Sequence, residues 1–111
     1  MVIAERTLTL RVGVRTNPVL VRLHTPQQTM PQRWTCRYEI GWPGENIAAD
    51  IHGVDAVQAL GLALQTIGAE IYASDYHKSG NLFWDTPGNG YGFPVVPTLR
   101  DLLEGDDKKY L

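Results

Sequence analysis

The three histidines of this chain are the side chains best suited to binding a metal ion. Asp50 and His52 stand two residues apart, and so do Asp75 and His77. On a strand this spacing puts an oxygen and an imidazole on the same face, where both could bind one ion. Neither pair is accompanied by a Cys-x-x-Cys or His-Glu-x-x-His pattern. We therefore interpret them as surface polar pairs and expect no metal site.

Nucleophilic catalysis has little support in the sequence. Cys36, the only cysteine, lies between two aromatic residues on the apolar side of a predicted strand, where burial makes a thiol inert. Ser74 and Ser79, the only serines, lie outside any Gly-x-Ser-x-Gly elbow. The glycine-rich run 88–92 opens no helix, so it does not match a phosphate-binding loop. We expect neither an enzyme nor a cofactor.

A row of outward-facing polar side chains is the strongest candidate for a binding surface. If the first three strands form a meander, the residues that project away from the core are Thr7, Thr9, Arg11, Leu20, Arg22, His24, Arg33, Thr35, Arg37 and Glu39. Guanidinium groups favour bidentate recognition of carboxylates. Aromatic side chains that could stack on bases are absent, which favours an acidic protein partner over a nucleic acid. The alternative is a solvated face with cross-strand Arg–Glu pairs.

From this row we predict partner contacts at Arg11, Arg22, His24, Arg37 and Glu39. Alternating apolar and polar residues predict the strands that carry them, at 7–12, 19–24, 33–42 and 47–52, with a short edge strand at 82–84. Residues 25–32 contain two prolines and are predicted to form a loop.

One long helix is predicted from Val54 to Ala73. Its apolar stripe consists of Val57, Leu60, Leu64, Ile67 and Ile71. Gly61 and Gly68 lie on the same stripe and suggest a close approach of the helix to the sheet. The sequence thus predicts an α+β fold: an antiparallel sheet of three to five strands, one long helix packed on one face, and a short C-terminal helix at 99–103.

The length and the charge distribution of the chain give predictions about its domains and its location. We expect one domain over residues 1–105 and a mobile tail over 106–111. Residues 1–42 carry six arginines against two acids, whereas 43–111 carry four basic residues against ten acids. This asymmetry suggests a polar binding surface or charge complementarity within the fold. A single cysteine, no apolar run long enough for a membrane and no signal-peptide pattern favour a cytoplasmic location without membrane contact.

Four segments carry a family resemblance: WTCRYEI at 34–40, GVDAVQAL at 53–60, LFW at 82–84 and GFPV at 92–95. Together they resemble a family of short bacterial proteins described only as a domain of unknown function. The resemblance implies no catalytic residues. In size and composition the chain is also similar to immunity proteins of bacterial toxin systems.

Two hypotheses about function follow. The first is a non-enzymatic protein-binding domain, with an immunity protein that neutralises a toxin through a basic sheet face as its most concrete form. A homodimer is compatible with it. The alternative is a small enzyme or ligand-binding module, which would use a pocket near His52, His77 and the Gly92-Phe93-Pro94 loop and would need a cleft where a histidine and an aspartate converge.

Overall fold

The structure, a computed structural model, describes residues 1–94 and 103–110, with the side chains of 1–94 and 103–108. The strands of this described part are β1 (Val2–Val12), β2 (Arg15–His24), β3 (Gln27–Met30), β4 (Arg33–Trp42), β5 (Glu45–Gly53) and β6 (Leu82–Phe83). The helices are α1 (Ala56–Ala73), α2 (Asp75–Lys78) and α3 (Gly105–Tyr110). The predicted α+β class is confirmed, with six strands in place of three to five.

The strands form one antiparallel sheet in the spatial order β5, β4, β2, β1, β6. The additional strand is β3, which pairs with β4 beyond the end of β2. The pairing of β3 with β4 is shifted by one residue relative to the pairing of β2 with β4. Strands β2 and β3 therefore behave as one long strand with a bulge at Pro26. The loop predicted at 25–32 was therefore wrong over 27–30, because its prolines lie outside the paired residues.

The inner face of the sheet forms the core. Alternate residues of β1, β2 and β4 are buried there, namely Leu8, Leu10, Val19, Val21, Leu23, Cys36, Tyr38, Ile40 and Trp42. This is the face that the sequence alternation predicts. Helix α1 covers it across β4 and β5, while Tyr91 and Phe93 of the 84–94 loop are also buried in the core.

Helix α1 meets the sheet through a stripe that overlaps the predicted one. Ile67 and Ile71 are fully buried as predicted, and Leu60 and Leu64 are partly buried against the core. Ala59 and Ala63 are fully buried as well, whereas the side chain of Val57 is 79% exposed. A Cβ atom added to Gly53, at the end of β5, would collide with the backbone of Ala59. The close approach therefore uses the alanines of the helix and a glycine of the strand, because small side chains let a helix backbone lie nearest to a sheet.

The short C-terminal helix of the predicted fold is present, at Gly105–Tyr110. The helix predicted at 99–103 lies almost wholly outside the described residues, and the C-terminal helix is α3. Residues 106–110, predicted to belong to a mobile tail, are helical, and Asp107 is only 2% exposed. No helix in the described ranges combines the length and hydrophobicity needed to span a membrane.

Candidate functional site

The predicted binding residues lie on the outer face of the sheet, which α1 leaves uncovered. The pairing register places Arg22 of β2 between Glu5 of β1 and Glu39 of β4. Arg22 donates from Nε to Oε2 of Glu5 at 2.7 Å, and His24 Nε2 lies 3.2 Å from Oε2 of Glu39. Further along the same face, Arg37 donates from Nη1 to Oδ1 of Asp50 at 3.4 Å.

We call these six side chains, Glu5, Arg22, His24, Arg37, Glu39 and Asp50, the outer-face ladder. Its charges alternate between strands, so this part of the face is mixed in charge and not basic as predicted. The hydrogen bond from Arg22 to Glu5 and the negative charge of Glu5 raise the pKa of the Arg22 guanidinium. All six side chains keep contact with solvent, so water screens the ion pairs.

Arg11 lies apart from the ladder. It stands six residues from Glu5 along β1, which is about 20 Å on an extended strand. Its guanidinium carbon lies 5.3 Å from the ring centre of Phe83 in β6. The structure thus brings four of the five predicted residues together and separates Arg11. It also adds Glu5 and Asp50, which only the strand register could have revealed.

Two shallow hollows flank the ladder. One has a volume of about 280 Å³ and lies over Leu20, Gly41 and Ala48, with Arg22 and Glu39 at its wall. Gly41 has no side chain to fill this hollow, and a Cβ atom there would come within 3.2 Å of the Asn46 side chain.

The second hollow, of about 240 Å³, lies between Met1, His24, Thr35, Arg37 and Asp50. The outer face therefore has two hollows with charged side chains at their walls.

A second polar cluster is buried near the C-terminus. One Asp107 oxygen, Oδ2, accepts hydrogen bonds from the Tyr72 hydroxyl at 2.7 Å and the Tyr91 backbone N–H at 2.8 Å. The other oxygen, Oδ1, accepts one from the Gly92 N–H at 2.7 Å. Gly90 makes room for the carboxylate, since a Cβ atom there would collide with it, and its φ of +83° also suits glycine. Asp107 thereby ties α3 to the loop and to α1.

His77 is linked to this buried cluster through Tyr91. Its Nδ1 lies 2.6 Å from the Tyr91 hydroxyl, which also lies 3.2 Å from the carbonyl oxygen of Leu82. The Tyr91 hydroxyl can donate to either acceptor, so its proton goes to the Leu82 carbonyl only when Nδ1 of His77 carries a ring proton. Burial raises the pKa of Tyr91 and keeps that hydroxyl protonated.

This arrangement differs from the predicted alternative pocket. His77, Tyr72 and Tyr91 line a hollow of about 610 Å³ that Lys78 and Glu104 also border. Asp107 is buried and does not border this hollow, while Gly92, Phe93 and Pro94 line a different one. His52, by contrast, is exposed on β5 opposite Thr35, on the outer face of the sheet. The two histidines named in that hypothesis do not share a pocket.

The remaining predicted candidates are Cys36 and the Asp-x-His pairs. Cys36 is fully buried and donates from Sγ to the carbonyl oxygen of His24 at 3.4 Å. Desolvation raises the pKa of its thiol, which confirms the predicted burial and favours low reactivity. Asp50, one member of an Asp-x-His pair, bonds to Arg37. Within 1–94 and 103–110, no group of three or more His, Cys, Asp or Glu side chains is arranged to hold a metal ion.

Comparison with known proteins identifies the family. A family model described as Domain of unknown function (DUF6968) matches residues 4–95. The chain belongs to this family. The match confirms the resemblance seen in four segments and extends it over β1 and β2, and hence over most of the outer-face ladder. Searches of curated proteins and of solved structures returned no match.

Proposed function

We propose that this member of the DUF6968 family is a non-enzymatic protein-binding domain and that the outer-face ladder is its binding surface. One observation carries the proposal. The outer face is uncovered by any helix of the described part, yet its charged side chains are held in a defined pattern on paired strands. Side chains ordered before binding lose less conformational entropy when a partner arrives.

The arginines of this face favour an acidic partner. Arg22 bonds to Glu5 through Nε, so a carboxylate of a second protein can still approach its two terminal nitrogens. Arg11 takes part in none of the three ion pairs of the described residues. Arginine is also enriched among residues that dominate interface energies. The partner would place acidic groups against Arg11, Arg22 and Arg37 and side chains into the two hollows.

An immunity protein that neutralises a toxin in the bacterial cytoplasm is the most concrete form of such a domain. It would block the partner by covering it, which requires no reaction at the outer face. The small size of the chain and the family of unknown function are both compatible with this role.

Capture of a partner tests the proposal. Wild-type protein is immobilised beside an Arg22→Glu, Arg37→Glu double variant, and each is exposed to extract of the native host and to the purified product of the neighbouring gene. We expect wild type to retain a specific protein and the double variant to lose it, mainly through a slower association rate at low salt. The matched control is Arg15→Glu with Lys78→Glu, which changes the net charge equally at exposed positions away from the ladder.

Equal capture by wild type and the ladder variant would exclude the outer face as the binding surface. Loss of capture by the control as well would show that net charge alone is responsible. Turnover of a small substrate by the purified protein would contradict the non-enzymatic function.

The hollow beside His77 supports a second candidate, a small-molecule site. The observation in its favour is that His77, bonded through Nδ1 to the buried Tyr91 hydroxyl, lines the hollow together with Tyr72 and Lys78. Titration with a small-molecule library, followed by NMR of the histidine rings, tests it. A ligand that shifts the His77 ring and not the exposed His52 ring would favour this candidate. Ligands that shift neither ring would exclude it.

A further inference from the structure

The outer edge of β5 is the longest exposed strand edge in the described part of the chain. Strand β5 pairs with β4 over all nine residues, Glu45–Gly53, without a register shift. Its opposite edge forms no ladder with residues 1–94 or 103–110. Every second residue there directs its N–H and C=O groups away from β4, so the edge is a template for another strand.

This edge has few of the features that usually block pairing. Proteins protect sheet edges with proline, charged side chains (lysine above all), bulges or very short strands. Strand β5 has no proline, no lysine and no bulge, and its charged residues are Glu45 and Asp50. The opposite edge of the sheet is formed by the two-residue β6 and by the part of β1 that β6 does not pair with. Strand β1 has a register shift between Val2 and Ala4, whereas β5 is regular over its whole length.

The sequence of β5 is complementary to itself when two copies run antiparallel. A twofold axis at the central residue, Ala49, lets all nine residues overlap, which no other register achieves. On the inner face it sets Ile47 against Ile51 of the second copy, two apolar side chains that are only partly buried in one chain. On the outer face it sets Asn46 against His52 and Ala48 against Asp50, so no two like charges lie directly opposite each other. A shift of the axis to Asp50 would oppose two aspartates.

The position of α1 fits the same arrangement. The helix packs against both β4 and β5. A helix centred between these two strands would lie about one strand spacing, roughly 4.8 Å, from the proposed twofold axis. Two such helices would lie about 9–10 Å apart, which is the usual distance between packed helices. Leu62, 39% exposed in the single chain, is an apolar residue available for that contact.

We propose that the chain forms a homodimer by antiparallel pairing of β5 with β5 of a second copy. The two sheets join into one continuous sheet, the two α1 helices pack side by side on its inner face, and the outer-face ladders lie on its common outer face. The occupant of the edge is a second copy because the nine-residue register matches apolar with apolar residues and avoids like charges. The proposal stands independently of the proposed partner binding.

Mass measurement by light scattering over a dilution series tests the dimer. We expect wild type to approach twice its 12.4 kDa chain mass as concentration rises. In an Asn46→Glu, His52→Glu double variant, glutamates face glutamates at both ends of the interface. Within one chain these positions lie opposite the uncharged Gly41 and Thr35, so the fold should be unaffected. We expect a dissociation constant raised roughly twofold to thirtyfold.

The complementary variant, Asn46→Lys with His52→Lys, provides the register-specific control. Alone it should be weakened in the same way, whereas an equimolar mixture of the Glu and Lys variants should form heterodimers at least as tight as the wild-type dimer. A wild type that stays monomeric at every concentration would overturn the proposal, and so would a mixture that shows no preference for heterodimers. A monomer that binds a strand of a different protein would likewise overturn the choice of a second copy.

Discussion

The outer-face ladder and the Asp107 cluster use similar polar side chains in different surroundings. In the ladder, each ion pair spans two strands and remains in contact with water. In the Asp107 cluster, one carboxylate that is 2% exposed accepts three hydrogen bonds from Tyr72, Tyr91 and Gly92. Water competes with the ion pairs of the ladder but is excluded from the hydrogen bonds of the Asp107 cluster.

Burial therefore decides what each cluster can contribute. A solvated ion pair adds little stability and can exchange one partner for another at low cost. A buried carboxylate must keep its donors, because an unsatisfied group loses its hydration without compensation. The ladder is suited to recognition, whereas the Asp107 cluster holds α3 and the 84–94 loop on the core.

Asp107→Ala should cause the largest loss of stability. It leaves the Tyr72 hydroxyl and two backbone N–H groups without their acceptor, and we expect a loss of about 3–5 kcal/mol in the free energy of unfolding. Denaturant unfolding measures it. The control is Asp106→Ala, which removes an exposed carboxylate bonded to Asn89 and should cost less than about 1 kcal/mol. Equal effects of the two variants would remove the distinction between the clusters.

Tyr72→Phe should have an intermediate effect. It deletes one charge-assisted hydrogen bond to Asp107 while keeping the ring that packs edge-on against Tyr91. We expect a loss of about 1–3 kcal/mol. Tyr76→Phe is the matched control, because its hydroxyl makes only a long, exposed bond of 3.4 Å to Pro43, and it should change stability by less than about 0.5 kcal/mol.

Stability should also fall at high pH because of the same cluster. Burial, followed by the hydrogen bond to Asp107, raises the pKa of Tyr72, and burial raises that of Tyr91. Groups whose pKa is raised on folding stabilise the protein fully below the unfolded value, about 10 for tyrosine, and lose that contribution above it. Unfolding measured from neutral to alkaline pH should show a steeper decline above about pH 10 in wild type than in Tyr72→Phe. Parallel curves would mean that Tyr72 does not contribute.

Breaking a ladder pair should have the smallest effect. A double-mutant cycle on Arg37→Ala and Asp50→Ala should give a coupling of about 0.2–1 kcal/mol, because the pair is exposed and its distance is 3.4 Å. High salt should reduce this coupling further. A coupling as large as that between Tyr72 and Asp107 would show that the ladder is a structural feature and not a recognition surface.

The sequence predicts the first half of the molecule better than the second, for physical reasons. Period-two alternation identified β1, β2, β4 and β5, because one face of each strand is buried and the other solvated. The helix stripe was predicted correctly at Ile67 and Ile71 but missed Ala59 and Ala63, because alanine carries little hydrophobic signal although both residues are fully buried.

The two polar clusters were harder to find from sequence. Glu5 and Asp50 enter the ladder only through strand pairing, which local patterns do not reveal. Asp107 lies in a segment rich in both acidic and basic residues, a composition typical of a solvated tail, and aspartate is rarely buried. Its donors come from residues 15 to 35 positions away.

The affinity of a charge-swapped ladder for the captured partner tests the central claim most directly. The variant Glu5→Arg with Arg22→Glu keeps an ion pair between β1 and β2 and leaves the net charge unchanged, but it reverses the pattern presented outward. Titration calorimetry with the purified partner measures the affinity, and denaturant unfolding of the same samples measures the stability. The glutamate at position 22 would lie opposite Glu39 of β4. We therefore expect a loss of stability of about 1 kcal/mol or less and an affinity reduced by at least about tenfold. Unchanged affinity in a stably folded variant would contradict the assignment of this face as the binding surface.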